Sequence, residues 1–191
     1  EIVIAQIINL MRKIVIKSNK MHLGVWRKDS LDSFEIRNKV IGIVGYGNIG
    51  SQLSVICEAL GMKVLYYDIV DKLSIGNAKK CKSLIDLLKN SDIVSLHVDG
   101  KKSNTNLISD KEFSIMKEKS ILVNYSRGNV VDIDSLIKNI KSKKLMGAAL
   151  DVFPEEPPNN KEKFKSKVKG IEEIILSPHI GGSTKEAQKN I

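Results

Sequence analysis

Cysteine is nearly absent from this sequence: only Cys57 and Cys81 occur in 191 residues, with no C-x-x-C spacing and no cluster of His with Cys. That excludes a disulfide framework and leaves no zinc-ligand pattern, so no metal site is expected. Long apolar runs are absent too. The stretch from Ile2 to Met11 is interrupted by Gln6 and Asn9 and then meets Arg12 and Lys13. It is too short to span a bilayer and lacks the small-residue cleavage site of a secretory signal. A soluble, cytoplasmic protein with no membrane partner is expected. Internal repeats and low-complexity linkers are missing as well. Acidic residues are in the minority, 22 Asp and Glu against 31 Lys and Arg, for a net charge of +9. The lysines are scattered, and the densest group, Lys161 to Lys169, alternates with Glu162, Phe164, Ser166 and Val168 without an aromatic platform. This reads as a solvated face with some pull on anionic metabolites, and nucleic acid is not expected as a partner.

What is present is an alternation of short β-branched runs with longer helical patterns, the signature of stacked βαβ units. Strands are expected at Val40–Val44, Val64–Tyr67, Ile93–Leu96, Ile121–Asn124, Gly147–Leu150 and Ile174–Leu176. Between the first two, Ile49, Leu53, Ile56 and Leu60 recur at helical spacing until Gly61, with Cys57 in register for packing. Ser83 with Asp86 and Ser109 with Glu112 have capping-box spacing and open two further helices, and another runs from Ile133 to about Ser142. Helical crossovers force the strands parallel. The expected fold is therefore α/β, a doubly wound parallel sheet of the Rossmann dinucleotide-binding type with strand order 3-2-1-4-5-6.

Domain organisation follows from the same patterns. Residues 1–37 form a leading helix and basic loop outside the doubly wound unit, a candidate dimerisation segment with Trp26 as a possible subunit anchor and Ile4, Ile7, Ile8 and Met11 as its apolar face. Residues 38–185 form the dinucleotide-binding domain, and residues 186–191 start a helix that is cut short. Opening in mid-pattern at Glu1, the sequence reads as a piece of a larger protein.

Gly45-Tyr46-Gly47-Asn48-Ile49-Gly50 is a G-x-G-x-x-G between a strand and a helix. The first Gly permits the turn, the second lets a pyrophosphate approach the backbone, and the third lets helix and strand pack closely. Asp68 ends the second strand, where its carboxylate can accept from a ribose diol, and no Arg follows it to hold a 2′-phosphate, so NAD is expected rather than NADP. The other distinctive polar residues also fall at strand ends, where open α/β sheets bind ligands: His97, Ser126 and Arg127, Asp151, and His179. Arg127, Glu156 and His179 suit hydride transfer at a hydroxyl carbon. His179 exchanges the proton, Glu156 orients its ring, and Arg127 grips a substrate carboxylate. His97 is read as a backbone contributor and His22 as a solvated loop residue.

The stretches Ile41–Gly50, Asn124-Tyr-Ser-Arg-Gly128, Asp151-Val-Phe-Pro-Glu-Glu-Pro157 and Pro178-His-Ile-Gly-Gly182 resemble the signature motifs of the D-2-hydroxyacid dehydrogenases, over nearly the whole chain. Within that family, Gly24-Val-Trp26, Tyr67-Asp-Ile69, Gly76-Asn-Ala78 and Gly181–Gln188 most resemble the phosphoglycerate dehydrogenase branch. The resemblance implies NAD-dependent oxidation of 3-phospho-D-glycerate to 3-phosphohydroxypyruvate, the first step of phosphorylated L-serine biosynthesis. It makes Arg127, Glu156 and His179 catalytic. It implies cofactor contacts at Gly45, Gly47, Asn48, Ile49, Gly50, Asp68, Tyr125, Ser126, Arg127, Asp151, His179, Gly181 and Gly182, with Asp151 toward the carboxamide. It also implies a homodimer or homotetramer, and an additional substrate domain without which this segment binds NAD but turns over poorly. Asp99 stands where a Pro often follows His97-Val98, and Tyr125 replaces a smaller residue. The alternatives are a hydroxypyruvate or glyoxylate reductase and, in another class, an NAD(H)-sensing corepressor-like binding protein.

Overall fold

A computed structural model describes residues 1–189, and the last two positions of the expected terminal helix lie outside them. The chain opens with α1 (Ile2–Arg12) and α2 (Ile14–His22), separated by Lys13 in a left-handed conformation. It then enters a seven-stranded sheet. The strands are β1 (Val40–Val44), β2 (Lys63–Tyr67), β3 (Lys79–Lys80), β4 (Ile93–Leu96), β5 (Ser120–Asn124), β6 (Leu145–Leu150) and β7 (Ile174–Leu176). The connecting helices are α3 (Asn48–Ala59), α4 (Leu84–Asn90), α5 (Asp110–Ile115) and α6 (Ile133–Lys141), and α7 (Lys185–Lys189) closes the described chain.

All strand pairs are parallel, in the order β3-β2-β1-β4-β5-β6-β7. This corrects the expected placement of Ile93–Leu96. Counted as the third strand, that run should have lain outside β2, but it pairs with β1, and the outer position belongs to β3. A two-residue strand of exposed lysines carries no apolar period, and lysine is what an edge strand tolerates. With β3 counted, the chain-order rule holds, and the reversal of direction falls between β1 and β4.

Side chains alternate across this sheet into two cores. Ile41, Ile43, Ile93, Ile121 and Val123 join one with α1 and α3, while Val44, Val94, Leu96 and Leu122 join the other with residues of α4, α5 and α6. Sheet strands buried on both faces need this double cover. Helix α1 is part of it: Val3, Ile7, Leu10 and Met11 are buried in the first core. The segment that stands off the sheet is therefore α2, which buries no residue, together with the loop after it.

Helix α3 meets the sheet on a different face from the one its apolar spacing predicts. Gly50, Leu53, Ser54 and Cys57 are buried, whereas Ile49, Ile56 and Leu60 are exposed. Small residues on the buried side allow a close approach. The two capping signals also differ. Ser109 and Glu112 form the full reciprocal box, but at α4 only Ser83 caps, accepting from the Asp86 N–H at 3.1 Å.

Candidate active site

The carboxyl ends of the strands collect the residues singled out by sequence. After β1, Gly45 takes φ +92°, and a Cβ there would meet the His97 carbonyl oxygen at 2.6 Å. A Cβ on Gly50 would strike the Gly45 carbonyl at 2.2 Å, while one on Gly47 would meet nothing within 4 Å. The first and third glycines are thus spent on internal packing and the second leaves an open face. That open face adjoins the N-terminus of α3, whose first-turn N–H groups lack helical acceptors and favour an anion. A pyrophosphate fits this cradle. Asp68, directly after β2, accepts the Tyr46 N–H at 2.7 Å and the Val70 N–H at 2.9 Å. Each carboxylate oxygen keeps a second acceptor position for a ribose hydroxyl. Tyr46 is itself buried, stacked on Tyr66 at 3.9 Å between centroids, which braces the turn from beneath.

His97 directly follows β4, under this turn. Its Nε2 lies 2.8 Å from Ser95 Oγ, and burial pushes its imidazole down to about 4 from the ordinary 6.5. It stays neutral at working pH and is unsuited to proton exchange there. The sign of its effect on stability follows. Below about pH 6.5 the unfolded chain takes a proton that the folded chain refuses until about pH 4. Stability attributable to His97 is therefore complete above pH 6.5 and is lost as pH falls toward 4, on the order of 3 kcal/mol in all. Urea denaturation at pH 7.5 and pH 5 should show about 2 kcal/mol of this drop, and His97→Asn should flatten it. An equal drop in the variant would remove His97 as the cause.

At the other half of the edge, β5 ends in Asn124, 1% exposed, which organises the next three residues. Its Oδ1 accepts from Ser126 N and Oγ at 3.1 and 2.7 Å, and its Nδ2 donates to the Arg127 carbonyl at 3.0 Å. Gly128 then passes so close to Phe153 that a Cβ would lie 1.9 Å from its carbonyl carbon, which brings the Arg127 turn against the loop carrying Glu156. The Arg127 side chain is exposed, with Nη1 donating to the Ser126 carbonyl at 2.7 Å.

Glu156 and His179 are brought together directly: His179 Nδ1 is 2.8 Å from Glu156 Oε2, and Glu156 Oε1 accepts the Phe153 N–H at 3.0 Å. A carboxylate can only accept, so Nδ1 carries the hydrogen and Nε2 is left to take or give a proton. The imidazole is 49% exposed, within reach of a ligand. A cleft of about 540 Å³ opens beside the pair, lined by Phe153, Phe164, Pro157 and Leu176 among others.

His179 also has φ +52°, a left-handed conformation that costs a non-glycine residue of order 1 kcal/mol or more unless its surroundings impose it. The imposition comes from Asp151, 1% exposed, whose carbonyl accepts the His179 N–H at 2.8 Å. Its carboxylate takes the Ile180 N–H at 2.9 Å, the Gly181 N–H at 2.7 Å and the Ser177 hydroxyl at 2.5 Å. Much of Asp151's acceptor capacity thus goes to shaping the histidine turn, which sequence alone did not suggest. Asn124 and Ser177 were missed as positioning residues, and the signal available for Asn124 was an amide at the buried end of an otherwise apolar strand. Both thiols are buried, with Cys57 pushed up to about 12 and Cys81 to about 11, so neither is a nucleophile. Among the described residues no group of acidic, His or Cys side chains could hold a metal, and no helix is long and apolar enough to cross a membrane.

Residues 4–181 match the model of the D-isomer specific 2-hydroxyacid dehydrogenase NAD-binding domain. The whole chain is 50% identical to the D-3-phosphoglycerate dehydrogenase of Haemophilus influenzae and 49% identical to that of Dictyostelium discoideum, covering 47% of each. The chain thus spans about half the length of these curated relatives. The solved structure of a D-lactate dehydrogenase with NAD+ from Lactobacillus jensenii superposes with a TM-score of 0.88 at 33% identity, over 99% of this chain and 60% of that one.

Proposed function

Because the chain belongs to the D-isomer specific 2-hydroxyacid dehydrogenase family, as an NAD-binding domain, we propose that the intact protein oxidises 3-phospho-D-glycerate to 3-phosphohydroxypyruvate, the step that opens phosphorylated L-serine synthesis. The observation that carries the catalytic part is the 2.8 Å pairing of His179 with Glu156 at the carboxyl edge of the sheet. The two curated relatives described above, whose names specify this substrate, support its identity.

NAD, when bound, supplies the acceptor for the hydride that leaves C2. The residues of this chain do the rest. The turn Gly45–Gly50 and the start of α3 would hold the pyrophosphate and Asp68 the adenosine ribose, and the Tyr125–Ser126 and Gly181–Gly182 segments would flank the other end. Nε2 of His179 accepts the hydroxyl proton as the C2–O bond becomes a carbonyl. Glu156 fixes the ring's tautomer and balances the resulting imidazolium charge. Arg127, exposed beside the edge, grips the substrate carboxylate.

The test is to assay the intact protein with NAD against a panel of 2-hydroxy acids. The highest kcat/KM is expected for 3-phospho-D-glycerate. Preference for reducing hydroxypyruvate or glyoxylate would move the assignment to those reductases, and tight NAD(H) binding without turnover would move it to a corepressor-like sensor. Asp68→Arg should weaken NAD and shift the NAD/NADP affinity ratio toward NADP by about tenfold or more, since an acceptor is replaced by a phosphate-binding fork. An unchanged ratio by calorimetry would take Asp68 off the ribose.

The same reading makes the protein a cytoplasmic homodimer or homotetramer assembled through residues 14–31. Trp26 (77%), Leu23 (81%) and Leu31 (61%) are exposed there beside a helix that buries nothing, an apolar surface that a second copy would cover. Trp26→Ala should raise the dimer dissociation constant at least about tenfold in sedimentation.

A further inference from the structure

The left-handed turn at His179 is braced from one more direction. Tyr125 follows β5 and is half-buried, and it touches both ends of the segment Ser177–Gly181. Its hydroxyl is 3.0 Å from Ser177 Oγ. Its ring lies where a Cβ on Gly181 would meet Cδ1 at 3.1 Å, so the glycine leaves the space the ring edge needs. The direction of the hydrogen bonds follows from counting protons. Ser177 has one hydroxyl hydrogen, and it is committed to the Asp151 carboxylate at 2.5 Å, so the phenol donates to Ser177. Burial pushes the phenol up and keeps it a donor. A line of hydrogen bonds therefore runs from Tyr125 through Ser177 to Asp151, the residue that holds the N–H groups of His179, Ile180 and Gly181. Hydrogen bonds in series polarise one another, so losing an outer one weakens those further in.

We propose that Tyr125 is a positioning residue for His179: its phenol, acting through Ser177 and Asp151, and its ring, packed on Gly181, hold the turn in the one conformation that keeps the imidazole on Glu156. The kinetic consequence rests on the dehydrogenase reading, whereas the contact chain does not. A residue that merely fills the core under α1 would affect folding stability and leave the imidazole's surroundings unchanged.

The test uses the intact protein carrying Tyr125→Phe, which keeps the ring and removes the donor, with Ser177→Ala as a second, independent break. Each is expected to lower kcat about tenfold, the worth of one well-placed hydrogen bond, with KM for NAD changed less than about twofold. The double variant should be no more than about twofold worse than the poorer single one, because residues acting as a unit do not add. The second readout is the NMR signal of the His179 ring, assigned by its loss in His179→Gln. In Tyr125→Phe it should broaden or split while that of His22 stays put. A His179 signal unchanged in both variants overturns the proposal whatever the rates do, and so do losses that multiply in the double variant. If the parent oxidises no 2-hydroxy acid, the dehydrogenase reading fails, and the His179 signal still decides the role of Tyr125.

Discussion

His179→Ala is expected to lower kcat about 10²- to 10⁴-fold while NAD affinity, measured by calorimetry, changes only a few-fold. The asymmetry follows from where the two functions are held. On the proposed reading, cofactor binding is spread over many groups, with the glycine turn, the start of α3 and Asp68 on the β1–β2 half of the edge carrying most of it, whereas one imidazole handles the proton. No other described group can replace it. His97 is neutral, half-buried and held down to about 4, and Glu156 reaches the site only through His179 Nδ1. Glu156→Gln gives a graded version, because an amide can still accept from Nδ1–H but carries no charge to balance an imidazolium. Its loss should be smaller than that of His179→Ala. A loss of only a few-fold for His179→Ala would contradict the acid/base assignment.

The second large effect is expected at Arg127. Arg127→Ala should reduce kcat/KM by about 10²- to 10³-fold, with much of the loss in substrate KM, since on the proposed reading the guanidinium would bind the carboxylate and polarise the developing carbonyl. Arg127→Lys should recover little of this, because a point charge lacks the planar two-donor fork. The structure supports this through the backbone: Asn124 clamps the Arg127 carbonyl, and Gly128 presses the turn onto Phe153, so the side chain's origin is fixed while its tip is exposed. Steady-state kinetics on the intact protein would separate the two parameters. Full activity in Arg127→Ala would place the carboxylate grip elsewhere.

How much of this was legible in the sequence depended on the physical origin of each feature. Strands buried on both faces announce themselves as β-branched runs, which is why β1 and β4 are read to the residue. Lys79–Lys80 has no buried face to leave a mark, and overlooking it displaced Ile93–Leu96 in the expected order. The glycine turn was readable because each glycine answers a separate steric demand, now visible as the 2.6 Å, 2.2 Å and empty surroundings of their absent Cβ atoms. The face of α3 was not readable, because close helix–sheet approach selects Gly50 and Ser54 there and leaves Ile49 and Ile56 outside. Glu156 and His179 are 23 positions apart, and their meeting was recognisable from family motifs rather than from any local period. Asn124, Ser177 and the bracing part of Asp151's role depend on which strand ends lie side by side, which only the sheet register supplies.

The most direct measurement is a crystal structure of the intact protein with NAD and a 2-hydroxy acid bound. The pyrophosphate should rest on the N–H groups at Asn48 and Ile49, and His179 Nε2 should lie within about 2.6–3.2 Å of the substrate hydroxyl while Nδ1 remains on Glu156. A substrate hydroxyl out of reach of Nε2, or a dinucleotide bound away from the Gly45–Gly50 turn, would contradict the account.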